Sequence, residues 1–417
     1  MDLKSRLSRL QAQAGTGVSG APPIVAASSL RSRLAQLRPE RVLAQAPAGN
    51  APMPVEALAG VLGGELLGDS VIVIRQTIPL CGVPGDFGLP ARYAGECSGA
   101  SADPQMPCAP PPLPGETTDG RRLVYIDTET TGLSGGSGTL AFLLGSAVVE
   151  DEAIALTQWL MARFSGEATA LDAFADTLTP ADHLVSYNGK SYDLPLLVSR
   201  FRMQGLAHPF AGLPHLDLLH PVRRLFARRW DDCRLQTLEK NLLGFTRVDD
   251  LPGSEAPEAW FRFLRSGHGD ALVQVVEHNR QDILSLAAAH HTLARTIARP
   301  RACDMDLHAL ARWLAESDEN AARTLLQAHA GSLCDDGRRL LGRLLRRAGD
   351  WRRAVAVWEV LAAAGCSDSM ERLAKYHEHV SKDLAAARRF CAQLPDAAER
   401  EHRRRRLDRK LGANMKT

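Results

Sequence analysis

The sequence predicts an α/β domain with a mixed five-stranded sheet flanked by helices, followed by an all-α region. Three features carry that prediction. Residues 121–161 hold three apolar runs joined by short polar turns, the pattern of antiparallel strands. From residue 167 to 217 helical and strand periods alternate, which extends the sheet with further strands. After Pro300 no strand pattern returns, and a helical pattern repeats itself.

Residues 1–56 are rich in Ala, Gln, Pro and Arg and read as a flexible segment. Within it, Leu3 to Leu10 is echoed by Leu30 to Leu37, each a short amphipathic helix at most. Residues 57–120 read as a small β-containing segment and a linker. A short helix leads into a hairpin between Glu65-Leu-Leu-Gly68 and Val71 to Ile78, and Gly, Pro and Ser dominate the stretch up to residue 120. The α/β domain covers 121–297. Its strands fall at 121–127, 139–149, 153–161, 183–187 and around Leu216 and Asp217. Helices are expected over 167–178, 195–204, 235–243, 258–264 and 270–297, with Pro195 suited to a first helical turn. Residues 301–417 follow, ending in a basic tail from Arg400 to Arg409. Here Asp318, Asp350 and Asp383 recur at spacings of 32 and 33. Each is followed by a small residue (Ala322, Ala354, Ala387) and then by a larger one (Leu326, Trp358, Cys391). Helix pairs of this length, with small residues where helices approach closely, are tetratricopeptide-like (TPR-like). A plain helical bundle is the alternative.

Bulk properties exclude several classes. The chain is 45% hydrophobic and 24% charged, ordinary for a globular protein. No apolar run approaches the ~18 residues of a membrane span, and the basic N-terminus lacks the apolar core of a secretory signal. A cytoplasmic protein is expected. None of the eight cysteines forms a Cys-x-x-Cys pair, so a zinc ribbon is not indicated. Net charge is only +2, but arginine concentrates in 221–234, in 338–353 and in the tail. Such patches suit a phosphate backbone, or are solvated surface.

The chemistry gathers around Val124-Tyr-Ile-Asp-Thr-Glu-Thr-Thr-Gly132. Asp127 and Glu129, two apart on a strand, point to the same face, which is unfavourable in a core and useful to a hard divalent cation. Downstream, Asp193 falls at a helix start in Tyr187-Asn-Gly-Lys-Ser-Tyr-Asp-Leu-Pro195, where a helix cap is its ordinary role. On the last long helix, His278 and Asp282 are i and i+4 beside an apolar stripe. Alone, they read as a surface pair.

Together the order Asp-x-Glu, Asp, His-x3-Asp resembles the three exonuclease motifs of the DEDD (DnaQ-like, ribonuclease H-like) superfamily. Asp127 and Glu129 match the first motif, Asn188 with Tyr192-Asp193-Leu-Pro195 the second, and Asp282 the third. The chain further resembles the YprB-type ribonuclease H-like proteins. That likeness rests on Gly135-Gly-Ser-Gly-Thr139, Phe142-Leu-Leu-Gly145, His215-Leu-Asp-Leu-Leu-His-Pro221, Arg234-Leu-Gln-Thr-Leu-Glu-Lys240, Asp250-Leu-Pro-Gly253 and Glu277-His-Asn-Arg-Gln-Asp282. One position departs: His278 stands where tyrosine stands in superfamily members of this spacing.

The resemblance implies a ribonuclease H-like fold over 121–297 and a 3′→5′ exonuclease acting through two Mg²⁺ or Mn²⁺ ions. Asp127, Glu129, Asp193 and Asp282 would hold the ions, and His278 would take a proton from the attacking water. The implied substrate is single-stranded nucleic acid, DNA favoured over RNA, in DNA repair, with a helicase or other protein partner on the helical repeats. Tyr187, Asn188 and Tyr192 are candidate contacts to a terminal nucleotide, and Arg223, Arg224, Arg228, Arg229 and Arg234 a phosphate-guiding patch. Asp217 could back the site or serve structure, and His215 and His220 read as packing residues. The alternatives are an exoribonuclease with the same site and a degenerate nuclease domain acting as an interaction scaffold.

Overall fold

A computed structural model describes residues 52–79, 110–116, 120–132, 138–150, 153–244, 246–247, 250–301 and 303–414. The two N-terminal helix echoes, most of the Pro/Gly/Ser-rich stretch with Cys81, Cys97 and Cys108, and most of the Gly135-Gly-Ser-Gly-Thr139 run lie outside them.

The first elements are α1 (Val55–Leu62), β1 (Glu65–Leu67) and β2 (Val71–Pro79), followed by β3 (Arg122–Thr130), β4 (Ala141–Val149) and β5 (Ala153–Met161). Next come α2 (Glu167–Ala175), β6 (Asp182–Ser186), α3 (Asp193–Met203), β7 (His215–Asp217) and α4 (Leu219–Phe226). The domain closes with α5 (Leu235–Leu238, continued by a π-turn over Glu239–Leu243), α6 (Ala256–Ser266) and the 29-residue α7 (Asp270–Ala298).

One sheet runs β1-β2-β5-β4-β3-β6-β7, with β6 parallel to β3 and to β7 and the remaining pairs antiparallel. The expected five strands are therefore seven. The extra two are the hairpin of the preceding segment: β2 pairs with β5 along its whole length, from Val71↔Met161 to Pro79↔Ala153. That pairing joins strands some eighty residues apart, which no local pattern encodes.

Alternation along the strands assigns the two faces. Val124, Ile126, Leu184 and Trp159 pack with Leu171 and Phe174 of α2 and Leu197 and Phe201 of α3. Leu123, Tyr125, Ala147, Leu156 and Val185 face the other way, toward α4, the α5 π-turn and the second half of α7. α7 crosses this second face. Before Asn279 its Leu272, Val275 and Val276 join one apolar cluster; after it, Ile283, Leu286 and Ala287 join the other.

Between the two clusters lies a polar strip. Asp127, Gly145 and Gln158 sit side by side across β3, β4 and β5, with Asn279 above them. Gly145 makes this crossing feasible, because a Cβ there would overlap the side chains of Ile283 and Asn279. Gly145→Ala should lower the denaturant midpoint by the equivalent of about 1–3 kcal/mol at unchanged m-value. A loss under a few tenths of a kcal/mol would mean that α7 does not lie against β4.

The remaining helices are α8 (Leu307–Leu314), α9 (Glu319–Ala328), α10 (Asp335–Arg347), α11 (Trp351–Ala363), α12 (Ser367–His379), α13 (Leu384–Ala392) and α14 (Ala397–Asn414). The periodic aspartates have a physical role. Asp318 accepts from the N–H groups of Asn320 and Ala321, Asp350 from Arg353 and Asp383 from Ala386, each capping a helix start. The small residues that follow, Ala322, Ala354 and Ala387, are fully buried. This region shares a core with the sheet domain, since Leu225 and Phe226 of α4 cluster with Leu307, Leu310 and Ala311. Cys233, Cys303, Cys334, Cys366 and Cys391 are free thiols. Among the described residues no helix is long and apolar enough to cross a membrane.

Candidate metal centre

At the end of β3 the strand delivers Asp127 and Glu129 to the face crossed by α7. The pairing register shifts between Glu129 and Thr130, a bulge that ends regular pairing next to the two acids. Asp193 opens α3, and Thr128 donates its hydroxyl proton to the Asp193 carboxylate. Asp193 is the first helical residue rather than the cap, a position held by Tyr192. Asp282 and His278 come from α7, one turn apart. Three separated segments, β3, α3 and α7, thus bring these groups together.

The charges report the convergence. Burial, then the carboxylates of Asp282, Asp193 and Glu129, hold the Asp127 carboxyl well above the usual range. Glu129 is raised for the same reasons, burial first, then Asp282, Asp193 and Asp250. Asp193 is pushed up to about 6, chiefly by burial, against the lowering effect of the Thr128 hydrogen bond. Asp127, Glu129 and Asp193 are thus all raised, and clustered carboxylates of this kind are what a hard divalent cation would neutralise. Ligand atoms of Glu129, His278 and Asp282 all lie within 4.8 Å of one another.

A second set of residues holds these donors, and the sequence did not reveal it. Asn279 donates its amide to Asp127 Oδ2 at 2.8 Å. Gln158 fixes the orientation of that amide by donating to Asn279 Oδ1 at 2.8 Å and to the Val276 carbonyl at 2.9 Å. Asp250 Oδ1 lies 2.7 Å from His278 Nδ1, so the ring's Nε2 faces Glu129 and Asp282 at 4.0 and 3.6 Å. Arg247 is the hub. Its guanidinium donates to Glu239 through Nε at 2.9 Å, to Asp250 through Nη1 at 3.1 Å, and to Asp282 Oδ1 through Nη2. Asp250 was visible in the Asp250-Leu-Pro-Gly253 run; Arg247 carried no signal, because a lone arginine in a loop looks like surface.

The other expected residues divide. Asp217 is buried and accepts from the N–H groups of Asn188 (2.7 Å), Lys190 (3.1 Å) and Leu219 (3.0 Å), so it holds the turn ahead of Asp193. Asn188 adopts a left-handed conformation in that turn, with φ 69°. Tyr187 donates its hydroxyl to the Cys233 carbonyl at 2.6 Å, whereas the Tyr192 ring, next to Asp193, is 56% exposed. His215 Nε2 lies 2.7 Å from Ser186 Oγ, and burial pushes its pKa down to about 4; His220 is exposed. The arginine patch is largely a seam with the helical region. Arg224 pairs with Glu316 at 2.9 Å and stacks over Trp313, Arg228 pairs with Asp306 at 3.4 Å, and Arg229 donates to the Cys303 carbonyl. Arg223 is exposed, and Arg234, also exposed, lies 3.7 Å from Asp232.

Residues 124–294 match the RNase H superfamily. The chain is similar to an uncharacterized protein, YprB, of Bacillus subtilis (strain 168), at 33% identity over 291 residues, covering 66% of this chain and 70% of that one. Among solved structures it is similar to the family B DNA polymerase of the hyperthermophilic archaeon Pyrobaculum calidifontis, at 12% identity and a TM-score of 0.36. That similarity covers 54% of this chain and only 29% of the polymerase.

Proposed function

We infer function from one premise: this chain belongs to the RNase H superfamily. On it we propose a metal-dependent 3′→5′ exonuclease that releases nucleoside monophosphates from single-stranded DNA, in a DNA-repair role. The observation that carries the proposal is the convergence of Asp127, Glu129, Asp193 and Asp282 from separate segments onto one end of the sheet, with the first three raised in pKa.

Those four carboxylates would hold two Mg²⁺ or Mn²⁺ ions, which when bound supply charge neutralisation, an activated water and stabilisation of the leaving 3′-oxygen. The chain's own groups do the rest. Asn279 and Gln158 keep one Asp127 oxygen engaged, which orients the other. The exposed Tyr192 ring beside Asp193 offers a stacking face to a terminal base, which favours an unpaired strand end. Arg223, exposed on α4, is a candidate phosphate contact; Arg224, Arg228 and Arg229 instead secure the helical region. We further propose that α8 to α14 form a TPR-like platform for a protein partner such as a helicase. The aspartate caps at Asp318, Asp350 and Asp383 support it.

The test is digestion of 5′-labelled DNA and RNA strands with Mg²⁺, with Mn²⁺ or with chelator. The expected result is a ladder that shortens from the 3′ end of DNA only when metal is present. Equal or faster digestion of RNA would make the chain an exoribonuclease. If neither strand is cut with Mn²⁺, the domain is an interaction scaffold.

A further inference from the structure

The imidazole of His278 sits among the acids in a way that the carboxylate assignment leaves unused. It is 8% exposed and comes from the same helix face as Asp282. Its Nδ1 lies 2.7 Å from Asp250 Oδ1 and 3.4 Å from Arg247 Nη1; when Nδ1–H donates to the Asp250 carboxylate in the neutral ring, the lone pair is on Nε2. That Nε2 makes no hydrogen bond among the described residues; it lies 3.6 Å from Asp282 Oδ2 and 4.0 Å from Glu129 Oε1. Two donors on one octahedral ion with bonds of about 2.1 Å lie about 3.0–4.2 Å apart, so both separations are those of ligands sharing an ion.

The surroundings fix each of these atoms. Arg247 takes Asp282 Oδ1, which leaves Oδ2 for the ion, and it also holds Asp250 Oδ2 at 3.1 Å. Arg247 is in turn held by Glu239, which is 1% exposed. A histidine whose outer nitrogen is bound to a carboxylate is the usual arrangement of a metal-ligating imidazole, because that bond sets the tautomer and raises ligand basicity.

We propose that His278 is a metal ligand through Nε2. One of the two cation positions is then an imidazole–dicarboxylate site of Glu129, His278 and Asp282, with Asp250 as the residue that positions the ring. An imidazole nitrogen suits Mn²⁺ and later transition ions better than Mg²⁺, so this position takes Mn²⁺ in preference to Mg²⁺. The inference rests on the cation-binding reading of the carboxylates and replaces the proton-accepting role that the sequence suggested for His278.

Pulsed electron paramagnetic resonance on the full chain, loaded with less than one equivalent of Mn²⁺, reads the ligand directly. A ¹⁴N modulation is expected in the native protein, converting to a ¹⁵N pattern when only histidine is ¹⁵N-labelled, so no variant needs to fold. His278→Gln should abolish the modulation. Asp250→Asn should keep it while weakening Mn²⁺ binding about 10–100-fold. Mn²⁺ bound without histidine nitrogen coupling would overturn the ligand assignment and leave the carboxylate reading standing. If millimolar Mn²⁺ does not bind at all, the cation reading fails and takes this inference with it.

Discussion

Asp127→Asn is expected to reduce strand digestion by at least about a thousandfold, the loss of about 4 kcal/mol of transition-state stabilisation. In chelator the same substitution should raise the melting temperature. The opposite signs share one cause. Asp127 is enclosed with Glu129, Asp193 and Asp282, and its carboxyl is held well above the usual range by burial and by those neighbours. A carboxyl whose pKa is raised on folding contributes its stability in full below the ordinary carboxylate pKa and loses it as pH rises through the folded value. The window therefore opens near pH 4. It reaches about 6 for Asp193, and Asp127 and Glu129 are shifted in the same direction. Metal-free native protein should melt at lower temperature at pH 8 than at pH 5, and Asp127→Asn should flatten that slope. Saturating Mn²⁺ should reverse the order: at a hundredfold excess over Kd it stabilises the native protein by about 2.7 kcal/mol, or roughly 2–4 °C for each kcal/mol. Melting curves at the two pH values, with and without ion, check every sign. An Asn variant less stable than the native chain in chelator would mean that the acids are not in mutual repulsion.

The uneven legibility of this site follows from what each interaction needs. Asp127 and Glu129 could be read because a strand end with two acids at spacing two is a local pattern. Asp193 and Asp282 could be read only through the ordered motif resemblance, since alone a helix-start aspartate reads as a cap and an i, i+4 His–Asp pair as surface. The turn held by Asp217 was half legible, since its position was plain while its three N–H partners required the fold. Asn279 was hidden because its partners, Asp127 and Gln158, lie 152 and 121 residues away. The arginines of α4 were legible as charges but not as partners of Glu316 and Asp306, acids about ninety and eighty residues downstream. Chemistry that is written within one element can be read from sequence; chemistry assembled by packing cannot. Arg247 belongs entirely to the second kind.

Arg247→Met is expected to destabilise the fold by about 3–5 kcal/mol, the cost of leaving a buried ion partner uncompensated. The reason lies in Glu239 more than in the cation site. Glu239 is 1% exposed, sits in the π-turn after α5, and has its carboxylate bound by the Arg247 fork through Nε at 2.9 and 3.1 Å. Burial already raises the Glu239 pKa against the pull of Arg247, so removing the guanidinium pushes the carboxyl further toward its protonated form. The loss should therefore be smaller at pH 5 than at pH 8. Arg247→Met combined with Glu239→Gln should recover most of the stability, because it removes both charges instead of stranding one. It should not recover digestion, because Asp282 and Asp250 would still lack the donor that holds them. Arg247→Lys should resemble Met more than Arg, since an ammonium cannot span three carboxylates as the planar fork does. Denaturant midpoints for the single and double variants, with digestion assayed alongside, separate the two roles. If the single variant lost less than about 1 kcal/mol, Arg247 would be an ordinary surface pair. If the double variant digested strands at the native rate, Arg247 would hold up the fold and not the site.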